Sequence, residues 1–325
     1  MKVAVEKLRE VSLGILTGRE VGAEDARIVT DILLEAELRG KPTHGLIRLP
    51  GIVERSALGR QRPMRLAREG GAHALIDGQE NLGYLVAHRC ARMAMDKADG
   101  TGIGVVGAFN TGHCGMLGYY ASMVADAGMV GLVMCDTSPR VVPWGGVEPV
   151  LGTNPISAGF PARGGQVVVD LSVAAITNGQ ILMAMADGKP IPEGCALGPD
   201  GRMATDPEAA RKGAVLPFGG HKGYALAVMI QIFSGVLVCG TPVPEPGVNY
   251  GIFMLAISPS VFLEQAVFEA GVGELMDRIK SVRRAEGMGE ILLPGERAFR
   301  EREVRLREGI DVGEALWRKL EGLSS

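Results

Sequence analysis

Helical patterning at both ends of the chain, with strand patterning between them, constrains the fold more than any other feature. The first forty residues carry two amphipathic segments, separated by a break near Gly18 and Gly22. Residues 262–284 and 296–323 are again helical and rich in charge. Because an amphipathic helix must bury its apolar face against a partner, the two ends are predicted to pair. In the second segment that face is marked by Ala26, Val29, Ile32, Leu33 and Ala36.

The middle of the chain alternates β-prone and helical segments. Strands are predicted at residues 72–77, 102–109, 129–135, 166–172 and 249–258, and helices at 82–98, 116–127 and 176–187, with a polar loop over 188–207. We therefore predict an α+β fold in three parts. Residues 1–71 and 259–325 form one helical domain, and residues 72–258 form a central α/β domain.

Charge and composition exclude several classes of function. The 325 residues carry a net charge of −3, and Lys and Arg are spread along the chain rather than gathered on a basic segment. A nucleic-acid partner is therefore not expected. The N-terminus has no apolar core of an export signal, so a cytoplasmic protein is predicted.

The cysteines favour a protein of a reducing compartment, and the longest apolar run favours a buried helix. Five cysteines, odd in number and widely spaced, fit neither a disulfide framework nor a zinc site, and are predicted to be free thiols. The run over residues 224–239 is too short to span a bilayer comfortably. It predicts a buried core helix, and no membrane association.

A G-x-G-x-x-G pattern occurs at Gly102, Gly104 and Gly107 but does not indicate a Rossmann domain. In that domain the glycines follow a strand and open a helix, so that the cofactor pyrophosphate meets free N–H groups. Here the glycines lie inside the predicted strand, and the next helix begins only after Gly115. We predict a non-Rossmann fold.

Three of the five histidines lie in glycine-flanked turns, where an imidazole can project into a cleft. These are His44, His113 and His221; His73 and His88 fall in a strand and a helix and are interpreted as structural. Histidine exchanges protons near neutral pH, so the three are candidates for acid–base or ligand-binding roles. No carboxylates stand beside them at ligand spacing, and no metal site is predicted.

Arg48 follows His44 at i+4, which places both side chains on one face of a helical turn. That pair suits a carbonyl acid, with the imidazole exchanging a proton and the guanidinium holding the carboxylate. A surface arginine packed on a local turn is the simpler interpretation. The segment Thr153–Pro161 is interpreted as a polar turn, either a ligand-binding or a rigid loop, and Asp170 ends a strand as a site residue or a cap.

Eight sequence blocks follow one another in order along nearly the whole chain: THGLIRLP, TGHCGMLGYYA, SPRVVPWGG, GTNPISAGFP, VVVD, IPEG, GGHKGYALA and LLPGER. Together they resemble the malate/L-lactate dehydrogenase family of the non-Rossmann type. Its relatives include sulfolactate and ureidoglycolate dehydrogenases and piperidine-2-carboxylate reductase. The resemblance implies a mixed-sheet central domain, a helical domain from both termini, a homodimer, and NAD or NADP as cofactor.

The resemblance also implies roles for individual residues. His44 corresponds to the proton donor, Thr43 to a hydroxyl that orients it, and Arg48 to the carboxylate clamp; in the ureidoglycolate branch His113 is instead the acid–base group. Substrate contacts are implied for Arg48, Thr153, Asn178 and Gly179. Cofactor contacts are implied for His113, Cys114, Gly115, Met116, Leu117, Val168, Val169, Asp170, His221, Lys222, Pro294, Gly295, Glu296, Arg297 and Arg300.

Three positions depart from the family pattern. Thr43 replaces a serine and keeps the hydroxyl. Gln180 stands where imino-acid reductases carry an acid and many hydroxy-acid enzymes a lysine, and Ser258 replaces an acid before the late Pro-x-x-Phe. Because glutamine cannot relay charge, the imine-reductase alternative is weakened.

We therefore predict an oxidoreductase that transfers a hydride between NAD(P)H and a small 2-oxo or 2-hydroxy carboxylate, such as malate, lactate or sulfolactate. The alternative on the same scaffold is an NADPH-dependent reductase of cyclic imino acids. Rivals of other classes are an inactive nucleotide sensor and a hydrolase, although no G-x-S-x-G pattern occurs. The sequence leaves the choice between NAD and NADP, the substrate side chain and the choice between His44 and His113 open.

Overall fold

The structure, a computed structural model, describes residues 1–54, 62–243, 245 and 249–324. Its helices are α1 Val5–Thr17, α2 Ala23–Leu38, α3 Leu49–Val53, α4 Gly83–Thr101, α5 Leu117–Asp126, α6 Asn178–Asp187, α7 Pro207–Lys212, α8 His221–Gln231, α9 Gln265–Ser281, α10 Glu296–Glu308 and α11 Glu314–Ser324. Its strands are β1 Lys2–Val3, β2 Arg65–Glu69, β3 His73–Asp77, β4 Ile103–Thr111, β5 Val130–Cys135, β6 Ile156–Ala162, β7 Gly165–Leu171, β8 Ala196–Leu197, β9 Ala214–Val215, β10 Tyr250–Ile257 and β11 Ile310–Asp311.

A mixed sheet lies at the centre of the described residues, with the strand order β2-β3-β4-β10-β5-β6-β7. Only β3 and β4 are parallel neighbours, and every other pair in this sheet is antiparallel. The late strand β10 enters between β4 and β5, so that Phe253 lies opposite both Gly107 and Met134. A doubly wound parallel sheet has no such arrangement, and the predicted non-Rossmann mixed-sheet fold is confirmed.

Alternate residues of the central strand feed two separate cores. Ile252, Met254 and Ala256 face a core shared with α2, α4 and α5, whereas Phe253 and Leu255 face the core beneath α8. This two-residue period is the ordinary consequence of strand geometry. The sheet is therefore covered on both faces, and its strand ends are the places left for a site.

The two ends of the chain meet, as predicted. β1 pairs antiparallel with β11, the N-terminal amine donates to Val312 O at 2.9 Å, and α10 and α11 contact α2 and α1. The domain boundaries themselves stay a prediction, since α1 and α2 share a core with the sheet. The central sheet also begins earlier than residue 72, at β2, and residues 55–61 of the N-terminal part lie outside the described residues.

The segment interpreted as a polar turn is mostly a strand. Only residues 153–155 form a loop; β6 then pairs with β7 along its whole length and with β5 over residues 156–159. Gly159 allows α5 to pack closely on this strand, because a Cβ at that position would lie 2.1 Å from Ala121 O of α5. The prolines and glycine that suggested a turn instead serve a strand with a helix packed directly on it.

The apolar run over residues 224–239 is helical but not buried throughout. α8 continues into a π-helical turn, Ile232–Val236, which packs one face on the sheet. The opposite face exposes Ile232, Val236 and Leu237 by 53%, 52% and 59%. The prediction of a buried core helix was therefore wrong for this exposed face of the helix. No helix among the described residues combines the length and apolar character that a membrane crossing requires.

The G-x-G-x-x-G glycines serve packing rather than phosphate binding. Gly102 ends α4 in the left-handed region with φ 82°, and Gly104 and Gly107 lie within β4. A Cβ at Gly104 would lie 1.9 Å from Ala94 O, so α4 rests directly on the strand.

We expect Gly104→Ala to lower the free energy of unfolding by about 3 kcal/mol, because the added methyl forces α4 away from the sheet. Gly100→Ala is the matched control: its Cβ meets nothing within 4 Å, and alanine favours the helix. Urea unfolding of both variants measures the difference. Equal stability of the two variants would contradict this role of Gly104.

Candidate active site

The segment after α2 forms two consecutive 3-10 turns, Pro42–His44 and Leu46–Arg48, joined by Gly45; we call residues 42–48 the catalytic turn. His44 Nδ1 lies 3.1 Å from Thr43 Oγ1. Arg48 Nε donates to Thr43 O at 2.6 Å. The hydroxyl thus holds one ring nitrogen of His44, Nδ1.

His113 lies beside His44. Their rings stack with centroids 5.7 Å apart at 26°. His113 Nδ1 accepts from Gly115 N at 3.2 Å and lies 3.1 Å from Tyr84 Oη, which fixes the ring in the turn between β4 and α5. Two of the three glycine-flanked histidines therefore share one site, although 68 residues separate them in sequence.

The electrostatics of the turn favour a neutral imidazole and a free guanidinium. Burial, reinforced by the positive charges of Arg48 and Lys41, lowers the pKa of His44 from 6.5 to about 4. Arg48 is exposed and forms no ion pair within the described ranges. Its charge is therefore available to an anion brought next to His44.

The N-terminus of α6 abuts the catalytic turn. A Cβ at Gly179 would lie 2.2 Å from Thr43 Cγ2, so the Gly179 backbone packs directly against the Thr43 side chain, next to Asn178 in the chain. Gln180 instead closes a capping box: its Oε1 accepts from Thr177 N at 3.0 Å, and Thr177 Oγ1 accepts from Gln180 N at 3.2 Å. The glutamine at the departing family position is thus used in capping this helix.

Thr153 lies in the short loop before β6 and is held by Thr137. The two hydroxyls are 3.3 Å apart, and Thr153 N donates to Thr137 Oγ1 at 2.9 Å. Val173 N donates to Thr153 O at 2.9 Å, which ties the loop to the segment that leads into α6. Thr153 is therefore connected to the segment that leads into α6.

A cavity of about 470 Å³ opens next to this turn, and Lys41 forms part of its wall. Three separate segments implied in cofactor binding meet here, from the turn before α5, from β7 and from the start of α10. Its lining residues from these segments include Met116, Gly118, Val168, Asp170, Gly295 and Arg297.

The cavity has a buried acceptor and an excess of positive charge. The Asp170 carboxylate accepts the Gly118 N–H, and burial raises its pKa while Lys41 and Arg39 oppose the rise. Arg39 pairs with Glu35 at 2.7 Å and stacks on Phe299 at 4.7 Å.

Two further cations of the lining are unpaired within the described part of the chain. Lys41 and Arg297 both lack an acidic partner there, whereas Arg305 pairs with Glu301 at 2.7 Å. Phosphate groups and ribose hydroxyls are ligands that such a lining fits. Sequence reasoning missed Arg39, Lys41 and Arg305; the basic residues just before the THG block were the available signal.

Other implied cofactor residues brace the cavity instead of facing it. Burial alone would raise the pKa of Glu296, but hydrogen bonds from Leu293 N, Lys280 and Arg300 hold it at about 2. Arg300 also pairs with Glu290 at 2.6 Å. The lining also does not include the implied residues Cys114, Gly115, Leu117, Val169 and Pro294.

His221 and Lys222 lie outside this cavity, exposed at the start of α8. The His221 ring meets Trp144 edge-on at 6.5 Å. The segment before them runs antiparallel to residues 173–175, through Ala175 N to Leu216 O at 2.8 Å and Phe218 N to Val173 O at 2.9 Å. They therefore lie toward the Thr153 side of the region. No three His, Cys, Asp or Glu side chains of the described residues are grouped as a metal site requires.

Comparison with known proteins shows the family to which the chain belongs. A family model described as malate/L-lactate dehydrogenase matches residues 3–321. An L-sulfolactate dehydrogenase of Methanothermobacter thermautotrophicus is 38% identical (100% of this chain, 96% of that protein), and a malate/(S)-sulfolactate dehydrogenase of Methanothermus fervidus is 37% identical (100% and 97%). A Delta(1)-pyrroline-2-carboxylate reductase of Pseudomonas fluorescens is 30% identical (99% and 98%).

The fold gives the same result. The solved structure of sulfolactate dehydrogenase from Methanocaldococcus jannaschii superposes with a TM-score of 0.92 at 34% identity, covering 99% of this chain and 96% of that one. The relatives are named as dehydrogenases and reductases, which implies a nicotinamide cofactor. The chain therefore belongs to the malate/L-lactate dehydrogenase family, and it is an oxidoreductase.

Proposed function

We propose that the protein transfers a hydride between NAD(P)H and a small 2-oxo or 2-hydroxy carboxylate such as malate, lactate or sulfolactate. The observation that carries this proposal is the stacked pair His44 and His113, with a positively charged cavity alongside and, on the same turn as His44, an Arg48 that forms no ion pair within the described residues. A proton-exchanging group, a carboxylate clamp and a nucleotide-sized cavity are what this reaction requires.

Each residue of the catalytic turn has a distinct task in this proposal. Arg48 binds the substrate carboxylate and so fixes the position of the adjacent carbonyl or hydroxyl carbon. His44 exchanges the proton at the substrate oxygen through Nε2, while Thr43 holds Nδ1. His113 orients the His44 ring and is the alternative acid–base group. The bound nicotinamide supplies or accepts the hydride.

Lys41 and Arg297 are the proposed phosphate contacts of the cofactor, and Asp170 is the proposed acceptor for a ribose hydroxyl. NAD and NADP both stay open: the acid favours an unmodified ribose, and the free cations favour an added phosphate. Comparing Kd for NADH and NADPH in wild type and Arg297→Met decides between them. A selective loss of NADPH binding would assign Arg297 to the additional phosphate.

Cyclic imino-acid reduction is the alternative, and the 30% identical reductase keeps it open. The capping box favours the hydroxy-acid reaction, because the Gln180 amide carries no charge to relay and its side chain already binds Thr177. A panel of oxaloacetate, pyruvate, sulfopyruvate and a cyclic imine, each with NADH and NADPH, tests both. Turnover of the imine alone would overturn the main proposal, and cofactor binding without any turnover would indicate a sensor.

We also propose a homodimer in the cytoplasm. The exposed apolar face of the π-helical turn, with Ile232, Val236 and Leu237, is the kind of surface that a second copy covers. The free thiols of all five cysteines fit a reducing compartment. Light scattering of the purified protein should give twice the monomer mass, and Val236→Glu should shift it to the monomer mass.

The pH dependence follows from the lowered pKa of His44. In hydroxy-acid oxidation the imidazole accepts a proton, so kcat/KM should be flat near neutral pH and fall as the pH drops through about 4. Because Arg48 contributes to lowering this pKa, Arg48→Met should move the acidic limb to higher pH. pH–rate profiles of both enzymes measure this. An unmoved limb, or one near 6.5 in wild type, would contradict it.

A further inference from the structure

The catalytic turn is built against a buried carboxylate from α2. Glu37 is 4% exposed, and its Oε1 accepts from Leu46 N at 2.8 Å. That N–H is the first donor of the second 3-10 turn, so the bond fixes where the turn restarts after Gly45. The Glu37 side chain therefore fixes the position of the turn that carries His44 and Arg48.

The carboxylate also lies flat against the turn. A Cβ at Gly45 would lie 2.3 Å from Glu37 Oε1 and 2.5 Å from Cδ, so no residue with a side chain fits there without displacing Glu37. Gly45 itself has φ −94°, which many residues adopt. The glycine in the T-H-G block is thus required by the proximity of Glu37.

The backbone carbonyl of Glu37 is held by an arginine that lines the cavity. Arg305 of α10 donates through Nη1 to Glu37 O at 2.6 Å, and it pairs with Glu301 while lining the cavity. Burial raises the pKa of Glu37 to about 6, against the hydrogen bond from Leu46 and the charge of Arg305. A buried carboxylate with so few partners has an energetic cost, and its contact with the catalytic turn offers a reason for its presence.

We propose that Glu37 is a positioning residue, whose carboxylate oxygen sets the placement of His44 and Arg48 relative to the cofactor cavity. This inference rests on the proposed function, since it concerns the same reaction. Glu37 does not touch the substrate; it acts through Leu46 N and Gly45. Its loss should therefore affect turnover and substrate binding while leaving the cavity able to bind the cofactor.

Three substitutions of Glu37 separate the effect of the acceptor oxygen's position from the effect of the negative charge. Glu37→Gln keeps an oxygen acceptor at the same distance, Glu37→Asp keeps the charge but withdraws the oxygen by one methylene, and Glu37→Ala removes both. We expect kcat to fall about 100-fold in the Asp and Ala variants, as misplacement by about 1 Å would cause. Glu37→Gln should stay within about fivefold of wild type. Asp31→Asn is the matched control: Asp31 lies on the same helix as Glu37, and its substitution removes only an ion pair to Arg9 of α1, so kcat should be unchanged.

Two readouts distinguish positioning from general destabilisation. NADH or NADPH binding, followed by fluorescence, should keep its Kd within about twofold in all folded variants. Amide hydrogen exchange of Leu46 should accelerate in the Asp and Ala variants but not in the Gln variant, and the rest of α2 should keep its protection. Retained rates in all three variants, or a Gln variant as impaired as Ala while Asp is active, would overturn the proposal.

The exchange measurement also keeps this inference separate from the proposed function. If wild type turns over no 2-oxo acid, the proposed function fails regardless of Glu37. If wild type is active and Leu46 exchange does not respond to Glu37→Ala, the positioning role fails while the proposed function stands.

Discussion

Replacing His44 by asparagine should lower kcat for 2-hydroxy-acid oxidation by about 1,000-fold, the range expected when a general base is lost. Asparagine keeps a polar side chain beside Thr43 but exchanges no proton. The cofactor Kd should be unchanged, because His44 is not part of the cavity lining. Stopped-flow absorbance of the reduced cofactor gives kcat, and fluorescence quenching gives Kd.

His73→Asn is the matched control, since that histidine is exposed on β3, away from the catalytic turn, and should leave kcat unchanged. The same substitution at His113 settles the remaining choice between the two stacked rings. A full loss in His113→Asn together with a mild loss in His44→Asn would exchange their roles. Wild-type turnover in both variants would remove the histidine pair from the reaction.

Arg48→Met should raise KM for the carboxylate substrate by about 100-fold, which corresponds to roughly 2.7 kcal/mol of lost binding. The guanidinium has no acidic partner within the described ranges, so the substitution leaves no buried acid unpaired and its effect falls on the ligand. Arg48→Lys should recover only part of this loss, because an ammonium cannot form the paired hydrogen bonds of a guanidinium.

The control for this substitution is Arg27→Met on the exposed side of α2, which should leave KM unchanged. Steady-state kinetics with varied substrate at saturating cofactor gives both KM values. A KM for Arg48→Met equal to that of the control would show that the carboxylate binds elsewhere.

Local sequence patterns predict most of the helices and strands, but they do not predict which distant strands pair. The helical period of α2 and the apolar run of β4 each predict their element, and the position of Gly104 inside β4 excludes a Rossmann turn. Nothing local indicates that β10 inserts between β4 and β5, since that pairing joins segments more than 100 residues apart. β6 was missed because Pro155 and Pro161 are turn signals, whereas the packing of α5 on the strand explains Gly159.

The candidate site divides in the same way. His44 and His113 were identifiable as histidines in glycine-flanked turns, and Arg48 because it follows His44 at i+4. Their convergence depends on α2, β4 and α6 meeting in space, which no spacing in the sequence reveals. Glu37 gives no sequence signal, because an acid on an amphipathic helix is ordinarily a solvated residue.

A crystal structure with reduced cofactor and oxamate, an unreactive analogue of a 2-oxo acid, tests the central claim most directly. We predict the oxamate carboxylate on the Arg48 guanidinium, its carbonyl oxygen about 3 Å from His44 Nε2, and the nicotinamide about 3.5 Å from the carbonyl carbon. Adenosine density should occupy the cavity beside Lys41 and Asp170. Oxamate bound away from Arg48, or His44 turned from it, would contradict the account.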